Sequence, residues 1–218
     1  MKYKYLLFDL DGMLMDTREG VYNSARHALA CCGILVHDIN RLKPFFGPPL
    51  RQSFKELYNF SDEKATFAIE KYRERYKVFC YEESKPFPGI EYALEMLRQR
   101  GYKLCVATSK LEESAVNMLR AFNLDGYFDF ITGSNQSETI STKDQVIEEC
   151  LRRFDIVDSK SEALMIGDMK YDSIGAQKAG VDSMGVYTGT AAENEHEEAG
   201  ATYIAHSIDH MLELLLAM

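Results

Sequence analysis

A short apolar run near the start of the chain leads directly into two aspartates and a glycine. Tyr5–Phe8 has the apolar and aromatic character of a strand buried on both faces of a parallel sheet. Asp9 and Asp11 follow at the strand's end, and ligands of open α/β sheets bind outside the carboxyl ends of the strands. Both carboxylates can face one ligand, because side chains two residues apart on an extended backbone point the same way. Gly12 lets the backbone turn close to a bound group. The stretch therefore predicts a ligand site, against the alternative of a solvated Asp-Gly turn.

The pattern of secondary structure changes at Pro86 and Gly89. Residues 17–85 show only helical periodicity, whereas beyond this point short apolar runs alternate with helical segments. Such alternation predicts right-handed crossovers and a doubly wound parallel α/β sheet. We therefore expect a catalytic α/β core from residues 1–16 and 86–218, with 17–85 inserted as an α-helical cap domain beside the first strand.

Polar residues follow several of the predicted strands. The strands at 103–107, 128–133, 163–166 and 183–187 are read from their apolar runs. Thr108 and Ser109 follow the first of these strands, and Asp168 follows the third, with Asp172 just beyond it. Lys143 stands at the start of a predicted helix over 144–154. The carboxyl ends of parallel strands share one edge, so these residues are expected to gather with the two N-terminal aspartates.

Acid, hydroxyl and ammonium groups together suit phosphoryl transfer. Asp9, Asp168 and Asp172 offer the hard oxygen ligands that Mg²⁺ prefers. A carboxylate approaching a phosphate at about 4 Å meets a repulsion of roughly 4 kcal/mol per charge pair at an effective dielectric near 20. Mg²⁺ and the Lys143 ammonium would cancel that repulsion and stabilise the transition state. Thr108 can bind a phosphoryl oxygen, and Asp11 can serve as a general acid and base.

These residues resemble the four motifs of the haloacid dehalogenase superfamily of Mg²⁺-dependent phosphatases. The first motif is matched by Asp9-Leu10-Asp11-Gly12, the second by Thr108, the third by Lys143, and the fourth by Gly167-Asp168 through Asp172. With its helical insertion, the chain is most similar to the phosphoglycolate phosphatase-like group. An aspartate at position 11 resembles the phosphatase branch of the superfamily rather than the dehalogenase branch.

The resemblance implies a role for each matched residue. Asp9 would be the nucleophile that forms an aspartyl-phosphate, with Asp11 as acid and base. Mg²⁺ would be held by the Asp9 carboxylate, the Asp11 carbonyl and Asp168, with Asp172 assisting. Gly47 belongs to a Gly-Pro-Pro-Leu stretch that resembles the family's cap loop. The substrate-binding residues are expected to be Gly12, Ser109, Gly47 and Arg51, the last of which could meet a second anionic group on the substrate.

One departure from the first motif leaves the function open to alternatives. The family usually has threonine where this chain has Met13, so a hydroxyl is lost and the loop is expected to be held less rigidly. We expect a phosphatase that hydrolyses a small phosphomonoester, such as a phosphoglycolate-like compound or a nucleoside monophosphate. A phosphomutase of the same family and a catalytically weakened phosphometabolite-binding or regulatory protein are the alternatives. A receiver-like phosphate acceptor is less favoured because the chain has a separate helical insertion.

Charge and cysteine content restrict the partners. A formal net charge of -9 argues against nucleic-acid and anionic-membrane partners, which are themselves negatively charged. The five cysteines are odd in number and lack C-x-x-C spacing, which favours reduced thiols in a cytoplasmic protein. No apolar run approaches the ~20 residues of a membrane span. We expect a cytoplasmic monomer or homodimer whose partner is a small phosphate ester.

Overall fold

The computed structural model describes residues 2–137 and 139–218, and its contacts divide the chain into two compact units. The first unit contains the chain up to Met15 together with Pro86–Met218. The second unit is Asp16–Lys85. The role of the second unit as a cap stays a prediction.

Strands and helices alternate through the first unit, and helices make up most of the second. The strands are β1 (Tyr5–Phe8), β2 (Met15–Asp16), β3 (Lys85–Pro86), β4 (Lys103–Leu111), β5 (Phe130–Ser134), β6 (Ala163–Gly167), β7 (Asp182–Val186) and β8 (Tyr203–Ala205). The α-helices are α1 (Arg18–Cys31), α2 (Leu50–Tyr58), α3 (Asp62–Phe79), α4 (Ile90–Gln99), α5 (Glu112–Ala121), α6 (Lys143–Arg153), α7 (Lys170–Ala179), α8 (Glu195–Glu198) and α9 (Ile208–Ala217). Turns of 3₁₀ helix cover Ile39–Phe45, Asp125–Tyr127 and Val157–Glu162.

A six-stranded sheet in the order β5-β4-β1-β6-β7-β8 forms the centre of the first unit. Each neighbouring pair of strands is parallel. The chain runs outward from β1 through β4 to β5, and then crosses to the other side of β1 to form β6, β7 and β8. This reversal of direction at β1 is the topological switch point at which doubly wound sheets bind their ligands. The predicted doubly wound α/β fold is confirmed.

The sheet is buried because its strands are apolar on both faces. Leu6, Leu7 and Phe8 of β1 are fully buried. Leu7 belongs to a cluster in which Cys105 of β4 and Met165 of β6 pack with residues of α6 and α7. Burial of this kind stabilises a fold by roughly 25 cal/mol per Å² of apolar surface. It also fixes the carboxyl ends of the three central strands against one another.

The second unit is built around the pairing of α1 with α3. Ser61 accepts a hydrogen bond from the Lys64 amide and so caps the start of α3, as its sequence position indicates. Arg75 of α3 forms an ion pair with Glu83 at 2.6 Å, and Asn23 of α1 donates a hydrogen bond to the same carboxylate at 2.9 Å. The unit therefore has its own polar network in addition to an apolar core.

The structure differs from the sequence expectations at several element bounds. β4 continues four residues past its predicted end at Ala107, with a register shift against β5 between Ala107 and Leu111. α7 begins at Lys170 rather than at Ser173, so Asp172 lies in its first turn. Strand β8 was not predicted, because three residues between two helices carry too little periodicity to be distinguished from a loop.

A buried histidine on α8 is expected to lower the free energy of unfolding in acid. His196 is fully buried, and its ring lies against Gly185 of β7 and packs edge-on to Tyr187 at 4.7 Å. Burial lowers the pKa of His196 below its ordinary value of 6.5, although Glu195, Asp172 and Glu197 act in the opposite direction. Below about pH 6.5, unfolding therefore takes up a proton at His196. As the pH is lowered, this group reduces the free energy of unfolding by up to about 1.4 kcal/mol per pH unit.

We expect His196→Leu to remove this part of the acid sensitivity. The free energy of unfolding in urea, compared between pH 7.5 and pH 5.5, should fall less in the variant than in the unchanged protein. His37→Gln is the matched control, because His37 is exposed. An equal pH dependence in His196→Leu and the unchanged protein would contradict the prediction.

Candidate active site

The carboxyl ends of the three central strands bring the predicted acidic and hydroxyl residues to one edge. Asp9 follows β1, Asp168 follows β6, and Thr108 lies within the extended β4. Asp9 is half-buried, whereas Asp168 is fully buried and Thr108 is almost so. The Asp9 amide donates a hydrogen bond to the Ile166 carbonyl at 2.8 Å, which ties the end of β1 to β6.

The Lys143 ammonium lies between two of these carboxylates. Its Nζ is 2.7 Å from Asp9 Oδ1 and 2.8 Å from Asp172 Oδ1, and it donates to the Ala107 carbonyl at 2.9 Å. The side chain reaches this position by crossing Gly175 of α7, where an added Cβ would lie only 2.7 Å from Lys143 Cγ. Burial alone would lower the pKa of Lys143, but Asp172 and Asp9 outweigh it and raise the pKa, so the group is a cation at neutral pH.

Asp172 serves the local helix as well as the cluster. Its Oδ2 accepts a hydrogen bond from the Met169 amide at 3.2 Å, which caps the first turn of α7. Its other oxygen pairs with Lys143. Asp172 therefore fixes the lysine and the start of the helix together, and any role in binding a metal is added to this structural one.

Asp11 is paired with a lysine that the sequence analysis did not single out. Lys110 Nζ lies 2.9 Å from both carboxylate oxygens of Asp11, and the lysine side chain is only 11% exposed. Lys110 reaches the site because β4 continues past Thr108, whose hydroxyl accepts a hydrogen bond from the Lys110 amide at 3.2 Å. Lys110 comes only two residues after Thr108, which is a signal in the sequence. Its meaning depends on β4 continuing to Leu111, which the sequence did not predict.

Gly12 lies against the carboxylate of Asp168. A Cβ added at this position would lie 2.0 Å from Asp168 Oδ2, and the backbone φ of +91° falls in the left-handed region. Gly12 is therefore required both for the turn and for the close approach of the first loop to Asp168.

Three carboxylates of this edge are arranged as a potential cation site. Ligand oxygens of Asp9, Asp168 and Asp172 all lie within 4.8 Å of one another. Asp168 Oδ1 is buried and receives no hydrogen bond from the described residues. Burial raises the pKa of Asp9 to about 7 and that of Asp168 well above its usual range, with the neighbouring carboxylates adding to both shifts. Closely spaced oxygens that are costly to ionise together fit a small divalent cation such as Mg²⁺.

The remaining predicted site residues lie in β4 and in the second unit. Ser109 is half-buried in β4 next to Thr108. Gly47 and Arg51 belong to the second unit, where Gly47 is exposed with φ of +100°. Arg51 Nη1 donates a hydrogen bond to Thr66 Oγ1 at 3.2 Å. Substrate binding by these residues and by Gly12 stays a prediction.

The turn after β7 contributes two hydroxyls that the sequence analysis missed. Thr188 Oγ1 donates a hydrogen bond to the Gly12 carbonyl at 2.6 Å, and Thr190 Oγ1 donates to Asp168 Oδ2. Threonines in a turn are common, so only the folded chain identifies these two as neighbours of the acidic cluster.

Comparison with known proteins assigns the family. A family model described as haloacid dehalogenase-like hydrolase matches residues 6–186, most of the chain and all of the cluster described above except Thr188 and Thr190. The chain belongs to the haloacid dehalogenase-like hydrolases. The predicted family and the predicted class of enzyme, a phosphatase-like hydrolase, are confirmed.

Individual relatives of this haloacid dehalogenase-like hydrolase cover 81% to 100% of its length. It is 40% identical over 195 residues to a 5'-nucleotidase of Pseudomonas aeruginosa, covering 89% of this chain and 87% of the relative. It is 30% identical over 178 residues to a phosphoglycolate phosphatase of Aquifex aeolicus, covering 81% of each. A solved structure of a "predicted phosphatase" from Clostridium acetobutylicum superposes with a TM-score of 0.95 at 41% identity, covering 100% of both chains.

Among the described residues, none of the helices has both the length and the apolar character needed to cross a membrane. The cytoplasmic location, the absence of a nucleic-acid partner and the monomeric or homodimeric state stay predictions.

The contact between Gly12 and Asp168 predicts an unequal effect of two glycine substitutions. Gly12→Ala and Gly101→Ala both place alanine at a positive φ, +91° and +93°, but an added Cβ meets nothing within 4 Å at Gly101. Both substitutions should cost about 1–3 kcal/mol for the backbone. Gly12→Ala should cost about 1–3 kcal/mol more, because the buried Asp168 carboxylate must move.

Urea unfolding of both variants measures this difference directly. Equal losses in the two variants would show that Asp168 does not pack on Gly12 in solution.

Proposed function

We propose that the enzyme is a Mg²⁺-dependent phosphatase that hydrolyses a small phosphomonoester through an aspartyl-phosphate on Asp9. The observation that supports this best is the cluster in which the Lys143 ammonium lies 2.7 Å from Asp9 and 2.8 Å from Asp172, beside the buried Asp168. A nucleophilic carboxylate next to a fixed cation and further metal-binding carboxylates is what attack on a phosphate dianion requires.

In the first half-reaction, an oxygen of Asp9 attacks phosphorus and the bond from phosphorus to the ester oxygen breaks. The leaving oxygen takes a proton from the Asp11 carboxyl, so a neutral alcohol departs. In the second half-reaction, water attacks the same phosphorus and gives a proton to Asp11. The acyl-phosphate bond breaks, which releases inorganic phosphate and restores Asp9 as a carboxylate.

The fixed positive charges support this sequence electrostatically. Lys143 offsets the charge of Asp9 and of the incoming phosphoryl oxygens, and the Thr108 hydroxyl offers a hydrogen bond to one of those oxygens. Lys110, whose Nζ lies 2.9 Å from both oxygens of Asp11, orients this side chain, and its charge stabilises the carboxylate that remains after Asp11 has given up its proton. Asp9, the Asp11 carbonyl and Asp168 would hold Mg²⁺, with Asp172 assisting. When bound, the cation supplies charge that stabilises the phosphoryl oxygens in the transition state.

The substrate is proposed from the relatives together with the chemistry of the site. The 5'-nucleotidase relative at 40% identity favours nucleoside 5'-monophosphates, and the phosphoglycolate phosphatase relative at 30% identity favours a small phosphorylated acid. Both compounds present the same phosphoryl group to the acidic cluster. Arg51 is the proposed residue for a second polar or anionic group of the substrate.

Phosphate release from a metabolite panel tests the proposal. The panel contains para-nitrophenyl phosphate, nucleoside 5'-monophosphates, phosphoglycolate, pyrophosphate and sugar phosphates, each with Mg²⁺ or with chelator. We expect release that requires Mg²⁺ and that falls at least about a thousandfold in Asp9→Asn, because the nucleophile is removed.

Asp158→Asn is the control for this experiment, because it makes the same chemical change at an exposed aspartate. Release by Asp9→Asn at the rate of the control would refute the aspartyl-phosphate mechanism. Conversion of a sugar phosphate into an isomeric phosphoester without phosphate release would favour the phosphomutase instead.

The weakened-protein alternative depends on Met13 and has its own test. Met13 is fully buried, and the carbonyl of the neighbouring Gly12 already accepts a hydrogen bond from Thr188. One hydrogen bond is worth about 1 kcal/mol, or roughly fivefold in rate, so Met13→Thr should raise kcat by less than about fivefold where the loop is already held. A gain of more than about tenfold, measured below the variant's melting temperature, would favour the alternative.

A further inference from the structure

The turn between β7 and α8 places two hydroxyl groups against two different parts of the acidic cluster. Thr188 Oγ1 donates to the Gly12 carbonyl at 2.6 Å, and Thr190 Oγ1 donates to Asp168 Oδ2 and lies 3.4 Å from the Asp168 carbonyl. Between them, Gly189 has φ of +97°, which allows the chain to turn so that both hydroxyls face the same edge. Thr188 and Thr190 are called the threonine pair below.

Both hydroxyl hydrogens of the threonine pair are used in hydrogen bonds to the acidic cluster. Each threonine has a single hydroxyl hydrogen, and Thr188 and Thr190 each donate theirs to the first loop and to Asp168 respectively. The 3.3 Å separation of the two hydroxyl oxygens is then a packing contact that holds the two donors side by side. The pair thus joins the loop after β1 to the acid after β6 from a third segment of the chain.

The effect on Asp168 is directional. One oxygen of this fully buried carboxylate accepts the Thr190 hydrogen bond, whereas Oδ1 receives none from the described residues. Gly12, whose own carbonyl is held by Thr188, packs against the same carboxylate. Rotation of Asp168 would break the Thr190 hydrogen bond and leave a buried acceptor unsatisfied, which is unfavourable.

We propose that Thr188 and Thr190 are positioning residues that hold Asp168 and the Gly12 loop in the geometry needed to bind the divalent cation. The inference rests on the proposed function for the identity of the cation. Thr190 satisfies one oxygen of Asp168 and leaves the other to the cation, and Thr188 fixes the loop that carries Asp9 and Asp11. Partners that orient a metal ligand in this way typically change affinity by about 10–100-fold when removed.

The pair also supplies a hydrogen bond that position 13 cannot. The resemblance to the family predicted a loosely held loop, because Met13 replaces the usual threonine and has no hydroxyl. Met13 instead packs in the core with no exposed surface, and the hydrogen bond to the loop comes from Thr188, 175 positions further along the chain.

Cation binding without substrate tests the proposal. Mg²⁺ and Mn²⁺ are titrated calorimetrically into the full chain carrying Thr190→Val, which keeps the shape of the side chain without the hydroxyl, or Thr190→Ser, which keeps the hydroxyl. We expect the dissociation constant to rise about 10–100-fold in Thr190→Val and less than about threefold in Thr190→Ser. Thr202→Val is the control, because it removes a threonine hydroxyl that also accepts a hydrogen bond, here from the Ser183 amide. That contact lies at the start of β7, whereas the threonine pair follows its end.

Hydrogen exchange separates positioning from folding for the second hydroxyl. In chelator, peptides that cover residues 9–14 should exchange faster in Thr188→Val than in the unchanged protein, while peptides from β8 and α9 remain as they were. Faster exchange throughout the first unit would mean that Thr188 only supports folding, and would overturn its assigned role.

The remaining outcomes also decide the proposal. Cation affinity in Thr190→Val equal to that of the control, or equally weakened in Thr190→Ser, would overturn it, as would the absence of cation binding by the unchanged protein. Cation binding that depends on the Thr190 hydroxyl, in a protein that releases no phosphate from the panel, would uphold this inference while refuting the proposed phosphatase.

Discussion

The buried ammonium of Lys143 is the interaction on which the arrangement of the acidic edge depends. Asp9, Asp11, Asp168 and Asp172 converge there, and without a cation their mutual repulsion would oppose folding of the sheet edge. Lys143 bridges Asp9 and Asp172 at 2.7 and 2.8 Å and is itself bonded to the Ala107 carbonyl. Breaking a buried pair of this kind by removing one partner typically costs about 3–5 kcal/mol, because the remaining charge is uncompensated.

The parallel sheet explains why these groups meet and why much of the cluster could be predicted from the sequence. Strands β1, β4 and β6 are apolar and adjacent, and each leads into a polar residue at the same edge. Asp9, Thr108 and Asp168 therefore follow from strand prediction together with the rule that parallel strands share their carboxyl ends. Lys143 was harder to predict, since a lysine at a helix start is usually exposed. It was predicted only because the acidic and hydroxyl motifs occur in the same sequence.

The residues that the sequence analysis missed share a different physical origin. Lys110 depends on β4 running four residues longer than its apolar core, and Thr188 and Thr190 depend on a turn whose shape has no periodicity. The contacts of these side chains join segments far apart in the chain, such as Gly12 with Thr188. Periodicity and spacing describe local conformation, so partners of this kind become visible only once the fold is known.

The acidic edge contains more carboxylates than ammonium groups. Four carboxylates are set against the two ammonium groups of Lys110 and Lys143, so the edge stays acidic after both ion pairs are made. Burial raises the pKa of Asp9 and Asp168, which shows that ionising them together is costly in the protein alone. A divalent cation would return both groups to their charged forms, and a phosphate dianion would bind only after that compensation. The same acidic edge therefore favours a bound cation first and disfavours an anionic substrate without it. Cation binding to these carboxylates would also stabilise the protein against unfolding, since the carboxylates lie together only in the folded chain.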